Sequence, residues 1–338
     1  PQGRFISFGP DYSFAGDYVL GLNSDQFQPR QGEVFNFGPY NHTQRPDRKY
    51  SAGGFAKYSV NERFEPYAEV MFMHDYTDAQ IAPTGNFGRT TLINCDNPML
   101  TDQQRNAICT SAGYGPNDYA NVTTLRRNLE GGARTDQLTH ASWRALAGFR
   151  GDLNDYWSYD VYGLHAQVDS PQSYINDFHT QRIFDAMDVV GDPNDSSTWQ
   201  CRSGNAGCSP WNVFRYNVNQ ITNNPAEGVT QAAIDYMAVD AILNSGTKTQ
   251  MLNATVTGDL ERHGLTLPSA SEGLQVALGL EYRKEKLFVN PDEVYAQGLR
   301  AGSGGPTLAV DGEYDVSEIF AELLVPLVQD TTGAHDLS

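Results

Sequence analysis

The chain has 338 residues, 39% of them hydrophobic, with a mean hydropathy of −0.49 and a formal net charge of −18. No apolar run approaches the roughly 18–20 residues of a transmembrane helix, which excludes a helical membrane span. The acidic balance argues against nucleic acid as a partner, because phosphates attract basic surfaces.

In chain order, Gly3–Phe8 and Glu33–Phe37 each read as a short strand, separated by a loop rich in Gly, Asp and Gln. Tyr50–Val60 is the first clear strand, and an Asn61-Glu62-Arg63 turn leads into a second at Phe64–Tyr76. There Ala68, Val70 and Phe72 oppose Glu69, Met71 and Asp75. Residues 77–137 read as a long excursion rich in Asn, Thr, Gly and Asp, a length that is usually functional. The return strand, Leu138–Arg150, sets Trp143, Ala145, Ala147 and Phe149 against Ser142, Arg144 and Arg150.

After a turn at Gly151–Asp155 the apolar set is Trp157, Tyr159 and Val161, then Leu164, Ala166 and Val168. That change of parity predicts a bulge at Gly163. Residues 189–245 form a second excursion, with a helix predicted over Thr230–Leu243 from apolar residues at i, i+3, i+4 spacing. Three long alternating strands follow at 246–260, 273–289 and 314–328. Every short turn falls on one side of the strands and every long loop on the other. Period-two runs longer than ten residues exceed the usual globular strand and match a tilted strand crossing a bilayer. The expected fold is therefore all-β: an antiparallel transmembrane β-barrel segment with long extracellular loops and one short loop helix.

The four cysteines form two close pairs, Cys95/Cys109 and Cys201/Cys208, in polar stretches without zinc-ligand spacing. Local disulfides would close short loops and imply an oxidising compartment; buried free thiols are the alternative. The chain starts at Pro1 without Met or a signal peptide and stops where a new strand could begin. Both ends read as cut, so an internal fragment of a longer protein is expected.

Several stretches resemble one family. Asn41-His42-Thr43-Gln44-Arg45-Pro46-Asp47-Arg48, followed by Tyr50-Ser51-Ala52-Gly53-Gly54-Phe55, is similar to the barrel of TonB-dependent outer-membrane receptors. So are Tyr67–Met73, Asn97–Leu100, Cys208–Phe214 with Gln231–Met237, Gly279–Glu285 and Glu318–Leu327. The resemblance covers residues 33–328 and is of the proteobacterial type with paired loop cysteines. It implies a 22-stranded barrel plugged by an N-terminal domain, importing scarce solutes with energy relayed by the TonB complex. This chain would supply about seven to nine of those strands; the plug domain, the TonB box and the C-terminal strands are absent. Outer-membrane lipid, an extracellular solute and, through the plug, TonB are the implied partners. Ferric siderophores and plant oligosaccharides compete as ligand, with cobalamin behind them.

No catalytic, cofactor or metal constellation emerges from the sequence. The seven histidines lack His-x-x-x-His spacing, Gly302-Ser303-Gly304 is not a nucleophile elbow, and Asp311, Glu313 and Asp315 lack the EF-hand pattern. A hydrolase therefore has no support. Polar residues on the inward register are the candidate ligand contacts: Glu69, Asp75, Arg144, Arg150, Glu281, Arg283, Glu285, Glu318 and Glu322, with Arg144, Glu281 and Arg283 foremost. Structural pairing among them is the competing reading. Loop aromatics Tyr114, Tyr119, Trp199 and Trp211 are candidates for stacking on a sugar or a planar chelate. The alternative function is a secreted β-rich carbohydrate-binding module, whose apolar strand faces would meet in a core.

Overall fold

A computed structural model describes residues 3–216, 220–302, 305–332 and 334–338, so Ser303 and Gly304 of the rejected elbow lie outside the described residues. The first strands are β1 (Arg4–Phe8), β2 (Phe14–Leu20), β3 (Phe27–Pro29), β4 (Asp47–Lys57) and β5 (Glu65–Ile81). Next come β6 (Gly85–Phe87), β7 (Leu92–Asn94), helix α1 (Asp102–Ile108), β8 (Tyr119–Arg127), β9 (Arg134–Asn154) and β10 (Trp157–Phe178). Helix α2 (Thr180–Met187), β11 (Val189–Val190), β12 (Gln200–Cys201) and helix α3 (Gln231–Met237) lead to β13 (Ala238–Asp259) and β14 (Gln275–Pro291). Helix α4 (Glu293–Ala296), β15 (Val310–Leu324) and the hairpin β16 (Val328–Thr331) and β17 (Ala334–Leu337) complete the chain.

Two sheets organise these elements. The larger is antiparallel, in the order β15-β14-β13-β10-β9-β5-β4, with β4 and β15 as its edges. Its ladder is regular because side chains alternate strictly. Following the Cα pairs, Ala68 stands beside Ala147, Ala147 beside Gly163, Gly163 beside Leu252 and Leu252 beside Tyr282. The residues read as outward on separate strands thus share one face. Glu69, Asp75, Arg144, Arg150, Glu281, Arg283, Glu285, Glu318 and Glu322 share the other. Short connections join the strands at one end: 58–64, 155–156 and 260–274. The excursions 82–133 and 179–237 and the loop 292–309 lie at the opposite end.

Those excursions are not irregular. Strands β1, β2, β3, β6, β7 and β8 make a second sheet, and with α1, α2 and α3 they form a cap. The main hydrophobic core lies here, around Phe5, Ile93, Met99, Ile108, Val122, Phe178, Ile183, Trp211, Phe214 and Met237. The long sheet has no comparable core on either face. Its outward side chains are exposed instead, Ile319 by 85% and Leu280 by 57%.

Four expectations are corrected. Glu33–Phe37 is not a strand; the partner of Arg4–Phe8 is Phe14–Leu20, inside the stretch read as loop. The helix expected over Thr230–Leu243 ends at Met237, because Ala238–Leu243 pairs with β10 and extends β13. Gly163 is no bulge: it pairs in register on both sides, and β10 is irregular only at Trp157/Ser158 and Tyr174/Asp177. The apparent slip has another cause. Beyond Gly163 the outward positions, His165 and Gln167, become polar, while inward Leu164 joins Leu146 and Met251 in one cross-strand row. Lastly, the strands overrun their predicted ends on the long-loop side, β5 reaching Ile81 and β9 starting at Arg134.

Glycines fix the inner surface where aromatic rings lie across a neighbouring strand. A Cβ on Gly279 would run into the Phe320 ring, and one on Gly148 into Tyr67 and Tyr162. A Cβ on Gly54 would meet nothing within 4 Å. Gly279→Val is expected to lose about 1–3 kcal/mol through overpacking. Gly54→Val should stay within about 0.5 kcal/mol. Urea unfolding midpoints of the two variants check the contrast, and equal losses would refute the packing account.

Candidate functional site: the inner sheet face and its cap

The inward face carries satisfied polar groups from the short-turn end to mid-strand. Arg150 donates two hydrogen bonds to Glu65 Oε1 at 3.0 and 2.7 Å, and Ser59 donates to the same carboxylate. The Arg150 guanidinium lies 5.4 Å from the Tyr67 ring, whose hydroxyl donates to Asp160 at 2.6 Å. Arg144 pairs with Glu69 at 3.4 Å. Asn253 donates to Glu281 at 3.2 Å and Thr249 to Glu285 at 2.7 Å.

Arg144 is on β9, whereas Glu281 and Arg283 are on β14, three strand spacings away, or about 14 Å. They do not converge on one point. Glu281 stands directly opposite Glu318, and the Nε of Arg283 is buried without a partner among the described residues. Like charges opposed across a ladder are unfavourable, and the orphan Arg283 Nε–H is a donor that lacks an acceptor. Arg144, by contrast, already has its carboxylate.

The loop aromatics behave differently from expectation. Trp211 is fully buried, set edge-on against Phe178 at 5.7 Å and under the Arg126 guanidinium. Trp199 is also in the core and donates its indole N–H to the Asp192 carbonyl at 2.8 Å. Neither ring is open for stacking. The physical reason is that the excursions fold around a core of their own, and their largest apolar side chains fill it. Tyr114 packs against that core and its hydroxyl accepts from Asn121 at 2.9 Å. Tyr119 remains partly exposed beneath Arg202.

Both cysteine pairs are disulfides, Cys95–Cys109 and Cys201–Cys208. An ionic cluster ties their loops together. Arg202 donates to both oxygens of Asp96, at 2.7 and 2.9 Å, and to Asp188 at 3.1 Å. Tyr119 donates to Asp188 at 2.8 Å. Burial and the Asp188 carboxylate raise the Tyr119 phenol above its ordinary value. Burial pushes the Asp96 carboxyl up, but hydrogen bonds from Arg202 and Asn94 outweigh it and hold the group below the usual aspartate value.

Sequence reasoning missed the joint between cap and sheet. Arg134 is buried and donates to the carbonyls of Ala82 and Gly302 at 2.9 and 3.1 Å. Asp177, fully buried, accepts from Thr84 and from the Gly302 backbone. Arg300 is held between the Tyr174 and Tyr295 rings, 4.5 and 3.9 Å from their centroids. These partners are far apart in sequence, and the only local hint is Asn176, whose φ of 64° marks the β10 irregularity.

The arrangement can hydrogen-bond a polar solute along the sheet face. Among the described residues no three His, Cys, Asp or Glu side chains are close enough to hold a metal ion, and no helix is long and apolar enough to cross a membrane. No family model, no curated protein and no solved structure matches this chain.

Acid should loosen the cap through Asp96. Its carboxyl titrates below the unfolded value of 3.8, so its contribution is present above that pH and lost as pH falls through the lower folded value. Arg202→Gln should remove the acid-sensitive component; hydrogen exchange of cap amides between pH 5 and 3 reads it. Replacing Cys95 and Cys109 by serine should cost about 3 kcal/mol and replacing Cys201 and Cys208 slightly less, from loop-closure entropy, as thermal unfolding with and without reductant would report.

Proposed function

We propose that this chain is part of the barrel wall of a TonB-dependent outer-membrane receptor that binds and imports an extracellular solute. One observation carries the reading: the outward apolar residues form a single band whose position shifts across the sheet by about one residue per strand on average. The band centres on Gly54 in β4 and on Ala321 in β15. The cross-strand row from Gly54 runs through Val70, Ala145, His165, Gln250 and Lys284 to Asp315, six residues short of Ala321 after six pairings. With about 3.3 Å of rise per 4.8 Å of spacing, one residue per strand corresponds to a tilt of about 35°. Membrane barrels tilt their strands by roughly 35–45°. Tyr50 to Tyr58, tilted so, spans about 22 Å, near the height of an outer-membrane apolar band of about 25 Å.

Three further features support it. Aromatics stand at both margins of the band: Phe72 and Trp143 side by side at the long-loop margin, and Phe64, Phe149 and Tyr159 together at the other. Short and long connections are segregated to opposite ends, and the cap carries disulfides suited to an oxidising exterior. A secreted binding module would need apolar faces meeting in a core, and the exposed band does not provide one.

Leu280→Arg, in the middle of the band, is expected to cost about 2–4 kcal/mol for the protein in lipid, whereas Thr255→Arg on the inward face should cost far less. Denaturant unfolding from vesicles measures the difference. Fractionation tests the reading as a whole: the full-length protein should sediment with the outer membrane, and recovery as a soluble monomer would sink it. Induction by iron starvation would assign a ferric chelate as the solute, and induction by plant glycan an oligosaccharide.

A further inference from the structure

On the outer face of the cap sheet one cross-strand row runs Val19, Arg4, Leu125 and Phe87, over β2, β1, β8 and β6. The opposite face carries Phe5 and Val122 and packs into the cap core. Residues 30–35 border the row and with it frame a cleft of about 260 Å³, to which Arg126 and Arg127 also contribute. Val19, Leu125, Phe35 and Phe87 belong to neither hydrophobic core. Apolar side chains gathered around a few polar groups in a concave surface are the usual lining of a small-molecule site.

Four guanidiniums and one carboxylate line this cleft. Arg4 donates twice to Asp17, at 2.8 Å in both bonds, and Arg30 lies 4.0 Å from the same carboxylate. Both terminal nitrogens of Arg126 donate to Glu130, but its buried Nε has no partner among the described residues. Glu33, the carboxylate of the lining, is exposed and accepts from the Gln31 amide at 2.7 Å. Arg127 differs from the other three. It is partly buried, and its guanidinium makes one hydrogen bond among the described residues, to the Pro83 carbonyl at 2.7 Å. No carboxylate of the described residues pairs with it. It lies instead over the rings of Phe35 and Phe87, at 5.3 and 4.9 Å, with Arg134 5.7 Å from the same Phe87 ring. Burial and Arg134 push the Arg127 guanidinium below its ordinary value, as befits a cation short of counter-charge.

We propose that this cleft binds a small organic carboxylate with an apolar body, its carboxylate on Arg127 and its body against Val19, Leu125 and Phe35. A guanidinium has five N–H donors, and one of Arg127's is engaged by Pro83, so a two-point contact with a carboxylate remains open. The two rings already hold the guanidinium in place, which lowers the ordering cost of that contact. An inorganic anion would leave the apolar lining unused, and a neutral apolar molecule would leave Arg127 unpaired. The site is separate from the inward sheet face and does not depend on the receptor reading.

The test is isothermal titration calorimetry of the full-length protein with benzoate, benzyl alcohol and acetate as probes. Benzoate should bind at least about tenfold more tightly than either of the others. Arg127→Gln should lose the preference over the alcohol, and Arg127→Lys, which keeps the charge but not the fork, should lose most of it. Lys248→Gln, on β13 of the long sheet, should keep it, with matched thermal unfolding to establish that the variants are folded. Because Arg127 also holds Pro83, the unaltered protein supplies a second readout: benzoate should shift the methyl resonances of Val19 and Leu125. Absence of benzoate binding, or unmoved methyls at Val19 and Leu125, would overturn the proposal, as would an unchanged preference in Arg127→Gln. Equal affinity for acetate would reduce the cleft to a site for any anion, and equal affinity for benzyl alcohol to an apolar crevice; either result also overturns it. Recovery of the protein soluble without detergent would defeat the barrel reading and leave this site standing.

Discussion

Everything in this molecule depends on the two-residue alternation being kept in register across seven long strands. A slip of one residue would exchange the two faces of a strand, placing Glu281 or Arg283 outward and Leu280 or Tyr282 inward. The ladder resists this through its length, since β10 pairs on both sides along nearly all its residues. It also resists through glycines that accept a ring from the adjacent strand, Gly148 beneath Tyr67 and Tyr162 and Gly279 beneath Phe320. Given the register, the band, the polar face and the segregation of connections follow.

Two different solutions to apolar exposure coexist in one chain. The cap solves the problem as a small globular domain does, burying Phe5, Trp211, Phe214 and Met237 in a closed core. Its strands are mostly short and its helices have seven or eight residues, so disulfides and the Arg202 cluster compensate for a limited core. The sheet buries almost nothing, and leaves its outward leucines, valines and aromatics for a surrounding medium. A contiguous apolar surface of this extent on a well-paired sheet has to meet something apolar. In lipid the open backbone edges of β4 and β15 would also need partners, because no water reaches them there.

This division explains what could be read from the sequence. The long strands were legible because alternation is a local signal repeated over ten or more residues, and it located the inward carboxylates and arginines correctly by face. The turns at 61–63 and 151–155 were legible for the same reason, and so was the pairing of cysteines separated by 14 and 7 residues. The cap was not. Its strand β1 pairs with β8 across more than a hundred residues; β1 has only five residues, and the alternately buried positions of β8 include Thr124 and Arg126, so no apolar period shows. Trp199 sits in a segment of polar composition, so its burial had no local signature, whereas Trp211 lies in the apolar stretch 210–214 that fills the cap core. Helix α3 was overextended because Ala241 and Ile242 continue a helical spacing while their backbone is already committed to β10. Propensity gave way to a ladder formed by residues about seventy positions earlier.

The joint between cap and sheet bears on how a solute would be selected. Loops at the mouth of a scaffold are usually its mobile part. Here the ends of β5, β9 and β10 and the 292–302 loop converge on Arg134, Asp177 and Arg300, all buried. Buried charges held by backbone carbonyls and amides are expensive to leave unmatched, so swinging the cap away would expose each at once. Arg300 sharpens the point: its ring partners come from β10 and from α4, so it clamps the loop across the sheet. On the proposed receptor reading, a mouth built this way is preformed. Discrimination would then arise from the shape and charge of a fixed opening above the inward carboxylates, with little ordering entropy lost when a solute enters.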